Sequence, residues 1–100
     1  MGDGEQMSNV LDSRTDDFIL EVMLEVSRAR KKFPETAMTM AALVEEVGEL
    51  AQAILDKPAS EVWAEAVQVA CMAVRVATEG DSSASAYRSS KLLDELGASR

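Results

Sequence analysis

The chain contains no histidine and only one cysteine, Cys71, among its 100 residues, and those two shortages remove whole classes of chemistry. Ser-His-Asp and Cys-His catalysis, HExxH zinc sites and the two-histidine iron triad all require imidazole. A single thiol excludes an internal disulfide and any multi-cysteine metal site, which fits a reducing compartment. With no histidine to ionise it, Cys71 reads as a small residue packed between helices. Positive charge is also scarce: 10 Lys and Arg face 18 Asp and Glu, for a net charge of -8. A nucleic-acid binder needs a basic footprint, so nucleic acid is not expected as a partner. An acidic chain that binds phosphate needs a cation as intermediary. The apolar stretches are interrupted by glutamates at helical intervals, so no membrane span is expected. Nothing resembles a signal peptide, and the expected location is cytoplasmic.

Strand-like alternation, internal repeats and low-complexity tracts are missing as well, and what remains is helical periodicity. Residues 1–14 are rich in Gly, Asp and Ser without a sustained period and read as a flexible tail. Residues 15–97 read as a single domain. A first helix is expected from Thr15, a candidate cap, through Phe18, Val22, Val26 and Ala29 to the Phe33–Pro34 step, since a residue before proline is disfavoured in the α region. A second helix is expected from Thr39, again as cap, to about Leu55, with Leu43, Val47, Leu50 and Ile54 as its apolar stripe. After Asp56, Lys57 and Pro58 a third helix runs from about Ala59 to Thr78. It carries two adjoining apolar stripes and one polar line, Glu61, Glu65, Gln68, Met72 and Arg75. Gly80 ends it, Asp81 or Ser82 can cap another helix, and this weaker fourth one spans about Ala84 to Leu96. The fold class is therefore all-α: an antiparallel helical hairpin with flanking helices. A third helix apolar on most sides calls for a four-helix-bundle-like core completed by homo-oligomerisation, as a homodimer or homotetramer.

Within the second and third helices, Glu46 and Glu49, then Glu65 and Gln68, recur at the same three-residue spacing. Residues so spaced are neighbours on one helix face, and across a hairpin the two pairs can face each other. Oxygen ligands in that number suit Mg²⁺. A glutamate on a largely apolar helix, as Glu65 is, suffers desolvation and like-charge repulsion unless a cation joins it. Gly48 costs about 1 kcal/mol relative to alanine inside a helix, and close approach by another helix or by a substrate is the expected compensation, ordinary packing the alternative.

The segment from Ala42 to Ile54, ALVEEVGELAQAI, followed by Glu65 and Gln68, resembles the MazG-like family of all-α nucleoside triphosphate pyrophosphohydrolases. The resemblance extends over about residues 18–80 and includes Lys32, Phe33 and Pro34. It implies Mg²⁺, with Mn²⁺ as a substitute, held by Glu46, Glu49 and Glu65, with Gln68 at the fourth position where the family pattern has aspartate. It also implies hydrolysis of a nucleotide substrate to the monophosphate and pyrophosphate.

In such a reaction Glu45 or Glu49 would orient the attacking water as base. Lys31, Lys32 and Arg75 are candidates to hold the phosphates, with Lys91 and Arg88 contributed by another subunit. Phe33 and Trp63 are candidates for base stacking or for the core, and Met72 could floor a pocket. Because Gln68 is neutral, either three carboxylates suffice, or Glu61 assists, or the protein binds nucleotides with little turnover. The remaining alternative is a helical interaction module with solvated glutamates.

Overall fold

Helix α1, Asp3–Lys32, runs parallel to helix α3, Ala59–Glu79, and α2, Thr39–Asp56, also packs on α3. A short 3-10 turn, Ser82–Ala84, leads into α4, Ser85–Ser90. The computed structural model describes residues 3–93; among them there is no strand, and the chain is all-α. The expected fourth helix stops early, at Ser90, and Leu92 beyond it takes the left-handed conformation, φ 58; residues 94–96 of that expectation lie outside the described residues.

Helix α3 is the centre of the arrangement because it alone packs on both others; α1 and α2 do not pack on each other. Val22 and Val26 from α1 meet Val67 and Cys71 from α3 in a small core, with Phe18, Ala29, Trp63 and Ala70 around it. Burial of each such valine contributes about 1.5–3 kcal/mol. Trp63 belongs to this core: its ring meets Phe18 edge-on at 5.2 Å, and its indole N–H donates to Glu21 Oε2 at 3.2 Å. Cys71 is fully buried, as a packing residue should be.

Two expectations about helix starts need correction. Helix α1 does not begin at Thr15; it is already helical at Asp3, and Thr15 Oγ1 donates back to the Leu11 carbonyl at 2.9 Å within it. The physical reason is that Met7, Leu11 and Phe18 share one face at spacings of four and seven. Thr39 is not a cap either. Met38 occupies that position in the left-handed region, φ 63, and Thr39 Oγ1 instead donates to the Gly80 carbonyl at 2.8 Å. The capping group comes from beyond α3: Asp81 accepts from the backbone N–H of Met38 at 3.1 Å and of Met40 at 2.9 Å. The same carboxylate accepts from Ser83 N–H and so caps the 3-10 turn rather than the fourth helix, whose N-cap is Ala84. These bonds, above all the one from the Ser83 hydroxyl, hold Asp81 down at about 2.

The start of α2 is thereby tied to the end of α3, and Lys57 and Pro58 join their other ends. Pro58 sits where its missing N–H is harmless, and Gly80, φ 77, closes α3 as glycine can. Two large apolar groups remain outside the core. Ile19, Leu20, Met23 and Leu24 on α1 and Val44, Val47, Ile54 and Leu55 on α2 are all about half exposed or more. On α3 itself Ala73, Val74 and Ala77 are exposed, so the expectation of burial on most sides is not met within one chain.

Candidate metal centre

Glu46 and Glu49 stand one turn apart on α2, and Glu65 projects from α3 beside them. One carboxylate oxygen from each lies within 4.8 Å of the other two. Glu46 and Glu65 are half-buried and Glu49 is exposed. Glu46 Oε2 and Glu65 Oε2 are buried and have no hydrogen-bond partner. A buried, unsatisfied carboxylate oxygen is costly, and two of them on neighbouring acids are more so. Glu46 registers that cost: burial first, then the charge and hydrogen bond of Glu49, and then Glu65 and Glu45, push its carboxyl up to about 7. A divalent cation accepts such oxygens at the ligand number and hardness Mg²⁺ takes, so the residues fit the ion.

The fourth expected member behaves differently. Gln68 Nε2 donates to Glu25 Oε2 at 3.0 Å. Glu25, on α1, also accepts from Arg28 Nε at 3.0 Å; the Gln68 bond and then Arg28 hold its carboxyl below the ordinary range. Glu25 was missed in the sequence because it has no i,i+3 acidic partner on its own helix. The only available signal was its place on the core face, one residue before Val26.

A cavity of about 490 Å³ opens beside Glu46, between α1, α3 and the connection at 33–38, with Glu25 and Gln68 also on its wall. That volume is in the range of small-molecule sites. Of the expected substrate residues it brings together Lys32, Phe33 and Arg75, and Met72 lies in its lining. Phe33 is not core: it is 56% exposed, with Lys32 Nζ 5.4 Å from its ring centre. Lys31 and Lys91 line neither this cavity nor the smaller one by Glu49; Lys91 lies over the Tyr87 ring at 5.6 Å.

Arg75 is placed in the cavity but bound elsewhere. It is 3% exposed, donates to the Phe33 carbonyl at 2.7 Å, and pairs with Glu79 at 2.9 Å. Glu79 also takes Arg30 Nε at 2.7 Å. Two guanidinium partners, Arg75 foremost, bring the Glu79 carboxyl down to about 2. Arg75 thus holds the 33–38 connection onto the end of α3. Glu45 is exposed and outside the cluster, and it reaches Glu46 only through its charge.

The remaining polar-line residue, Glu61, lines the smaller cavity of about 300 Å³ with Glu49, Gln52, Lys57 and Glu65. Gly48 faces open space, a Cβ there meeting nothing within 4 Å, so no helix of this chain approaches it. Among the described residues no helix is long and apolar enough to cross a membrane. Set against known proteins, the chain matches no family model, no curated protein and no solved structure.

Proposed function

We propose that the protein is a Mg²⁺-dependent nucleotide pyrophosphohydrolase of the MazG-like kind, cleaving a nucleoside triphosphate to the monophosphate and pyrophosphate. The observation that carries this reading is the convergence of Glu46, Glu49 and Glu65 with two unsatisfied buried oxygens, next to a cavity large enough for a nucleoside. Mn²⁺ would serve in place of Mg²⁺. When bound, such an ion would supply positive charge to phosphate oxygens and make a nearby water more acidic.

The chain supplies the rest. Glu46 and Glu65 hold the ion from the protected side, and the exposed Glu49 is a ligand that also reaches the attacking water and takes its proton. The water oxygen bonds to the α-phosphorus; the bridging oxygen leaves on pyrophosphate with the bonding pair. Lys32 and Phe33 meet the nucleotide at the cavity rim, the ring offering a face for stacking.

The working unit is a homo-oligomer of helical hairpins, a dimer or tetramer completing a four-helix bundle. The chain exposes 7459 Å², whereas a compact chain of its mass exposes about 5,500 Å². Its radius of gyration is 17.2 Å against about 13 Å for a compact domain of this length. Taken over two copies, the excess falls in the range that obligate homodimer interfaces bury. The open space in front of Gly48 then receives a helix of another copy.

One alternative has an observation of its own. Because Gln68 is neutral and bound to Glu25, the site has one carboxylate fewer than the family pattern, which favours a nucleotide binder with little turnover. Pyrophosphate release from a nucleotide panel with Mg²⁺ separates the two. The enzyme releases it and Glu49→Gln does not; a binder gains thermal stability from nucleotide without release. Undiminished release by Glu49→Gln would overturn the ligand assignment.

A further inference from the structure

The carboxylate cluster stands between two cavities of opposite character. Glu46 lies on the wall of the larger one, whose lining includes Ala29, Phe33, Ala42, Cys71 and Met72. Glu49 and Glu65 lie on the wall of the smaller one, where Gln52, Lys57 and Glu61 leave Ala53 as the single apolar member. A nucleobase needs apolar walls to leave water, and only the larger cavity has them. A phosphate chain needs polar partners and a cation.

We propose that the substrate lies across the cluster, its nucleoside in the larger cavity and its two terminal phosphates in the smaller, where Lys57 binds the departing pyrophosphate. This rests on the pyrophosphohydrolase reading and adds to it a direction and a leaving-group residue. The smaller cavity, about 300 Å³, has room for pyrophosphate and several waters, each of which takes about 30 Å³.

Lys57 is built for such a role. It is the C-cap of α2, its N–H donates to the Ala53 carbonyl at 2.9 Å, and α3 begins two residues later. Its backbone is therefore fixed by two helices, while its ammonium has no ion pair among the described residues. It is the one cation on a wall that otherwise carries Glu49, Glu61 and Glu65, so pyrophosphate there would need the ion held by the cluster as well as Lys57. As water adds to the α-phosphorus and its proton passes to Glu49, the electron pair of the broken bond collects on the departing oxygen. The Lys57 ammonium meets that charge.

Calorimetric titration of pyrophosphate into the Mg²⁺-loaded protein tests this directly. Lys57→Ala is expected to weaken binding at least about tenfold, the loss of one charge-assisted contact, and Lys57→Arg to retain most of it. Lys31→Ala makes the same change in net charge outside both cavities and is expected to stay within about twofold of the wild type. Helical circular dichroism establishes that each variant is folded. If Lys57→Ala binds pyrophosphate like the wild type, or Lys31→Ala loses as much, the direction is wrong although the site stands. If Mg²⁺ does not bind the wild type, or Glu46→Gln binds it equally well, the functional reading fails first and takes this one with it.

Discussion

Gln68 donates its amide N–H to Glu25 at 3.0 Å, so a residue of the polar line on α3 is oriented by a carboxylate of α1. That bond is the largest influence keeping Glu25 ionised below the ordinary range. In Gln68→Asp it is replaced by repulsion between two carboxylates. The metal-free variant is expected to melt lower than the wild type, and Mg²⁺ to raise its melting temperature by more, because four acids then surround the ion. Thermal melts with and without Mg²⁺ read both changes. An Mg²⁺-dependent rise no larger than that of the wild type would place residue 68 outside the site.

Glu46 makes the centre sensitive to pH. Its folded carboxyl is raised to about 7 from an ordinary 4.5, so the folded state binds the proton more tightly than the unfolded one. Without metal, stability is expected to fall as pH rises from about 4.5 to about 7 and then to level off. Mg²⁺ displaces that proton, so its affinity is expected to climb over the same window. Glu46→Gln flattens the metal-free profile. Denaturant titrations between pH 4 and 8 provide the measurement.

Glu79 titrates in the opposite sense. Paired with Arg75 and Arg30, it is held at about 2, so its contribution is complete above about 4.5 and disappears as pH falls toward 2. Arg75 is buried against it, and removing one partner of a buried pair costs about 3 kcal/mol or more. Discounted for the partial exposure of Glu79, Glu79→Ala is expected to cost about 2 kcal/mol at pH 7 and much less at pH 2. Urea melts at the two pH values test the difference.

Gly48→Leu fills a space that is open in the single chain. For an isolated helix the change is favourable by about 1 kcal/mol. Where a second copy lies against that face, the side chain forces the helices apart. Sedimentation equilibrium is therefore expected to find the wild type as a dimer or larger and Gly48→Leu dissociating at higher concentration. A wild type that sediments as a monomer removes the assembly from the proposal.

How much of the molecule was legible in its sequence depends on whether the determining groups were close along the chain. Pro58 and Gly80 punctuate it locally, and α2 and α3 lie within a residue of where they were expected. The three converging glutamates follow from i,i+3 spacing on two helices joined by a short turn. Elsewhere the partner was distant. Asp81 caps a helix that starts some forty residues earlier, so Thr39 looked like the cap. Arg75 lay on the polar line, yet its partners include carbonyls 42 and 40 residues away. The first turns of α1 were hidden by Gly, Asp and Ser around Met7 and Leu11. Glu25 showed only its place beside Val26, because its partner Gln68 lies 43 residues away.

The reach of Asp81 back to Met38 and Met40 bears on how far any fragment of this chain must extend past the third helix. A fragment cut at Gly80, where the third helix stops, would strip the acceptor from two amides at the beginning of the second. The carboxylates that helix carries would then start from a frayed end. An expression unit trimmed to the metal-binding helices must therefore run at least through Ser83, whose hydroxyl keeps the Asp81 carboxylate in place.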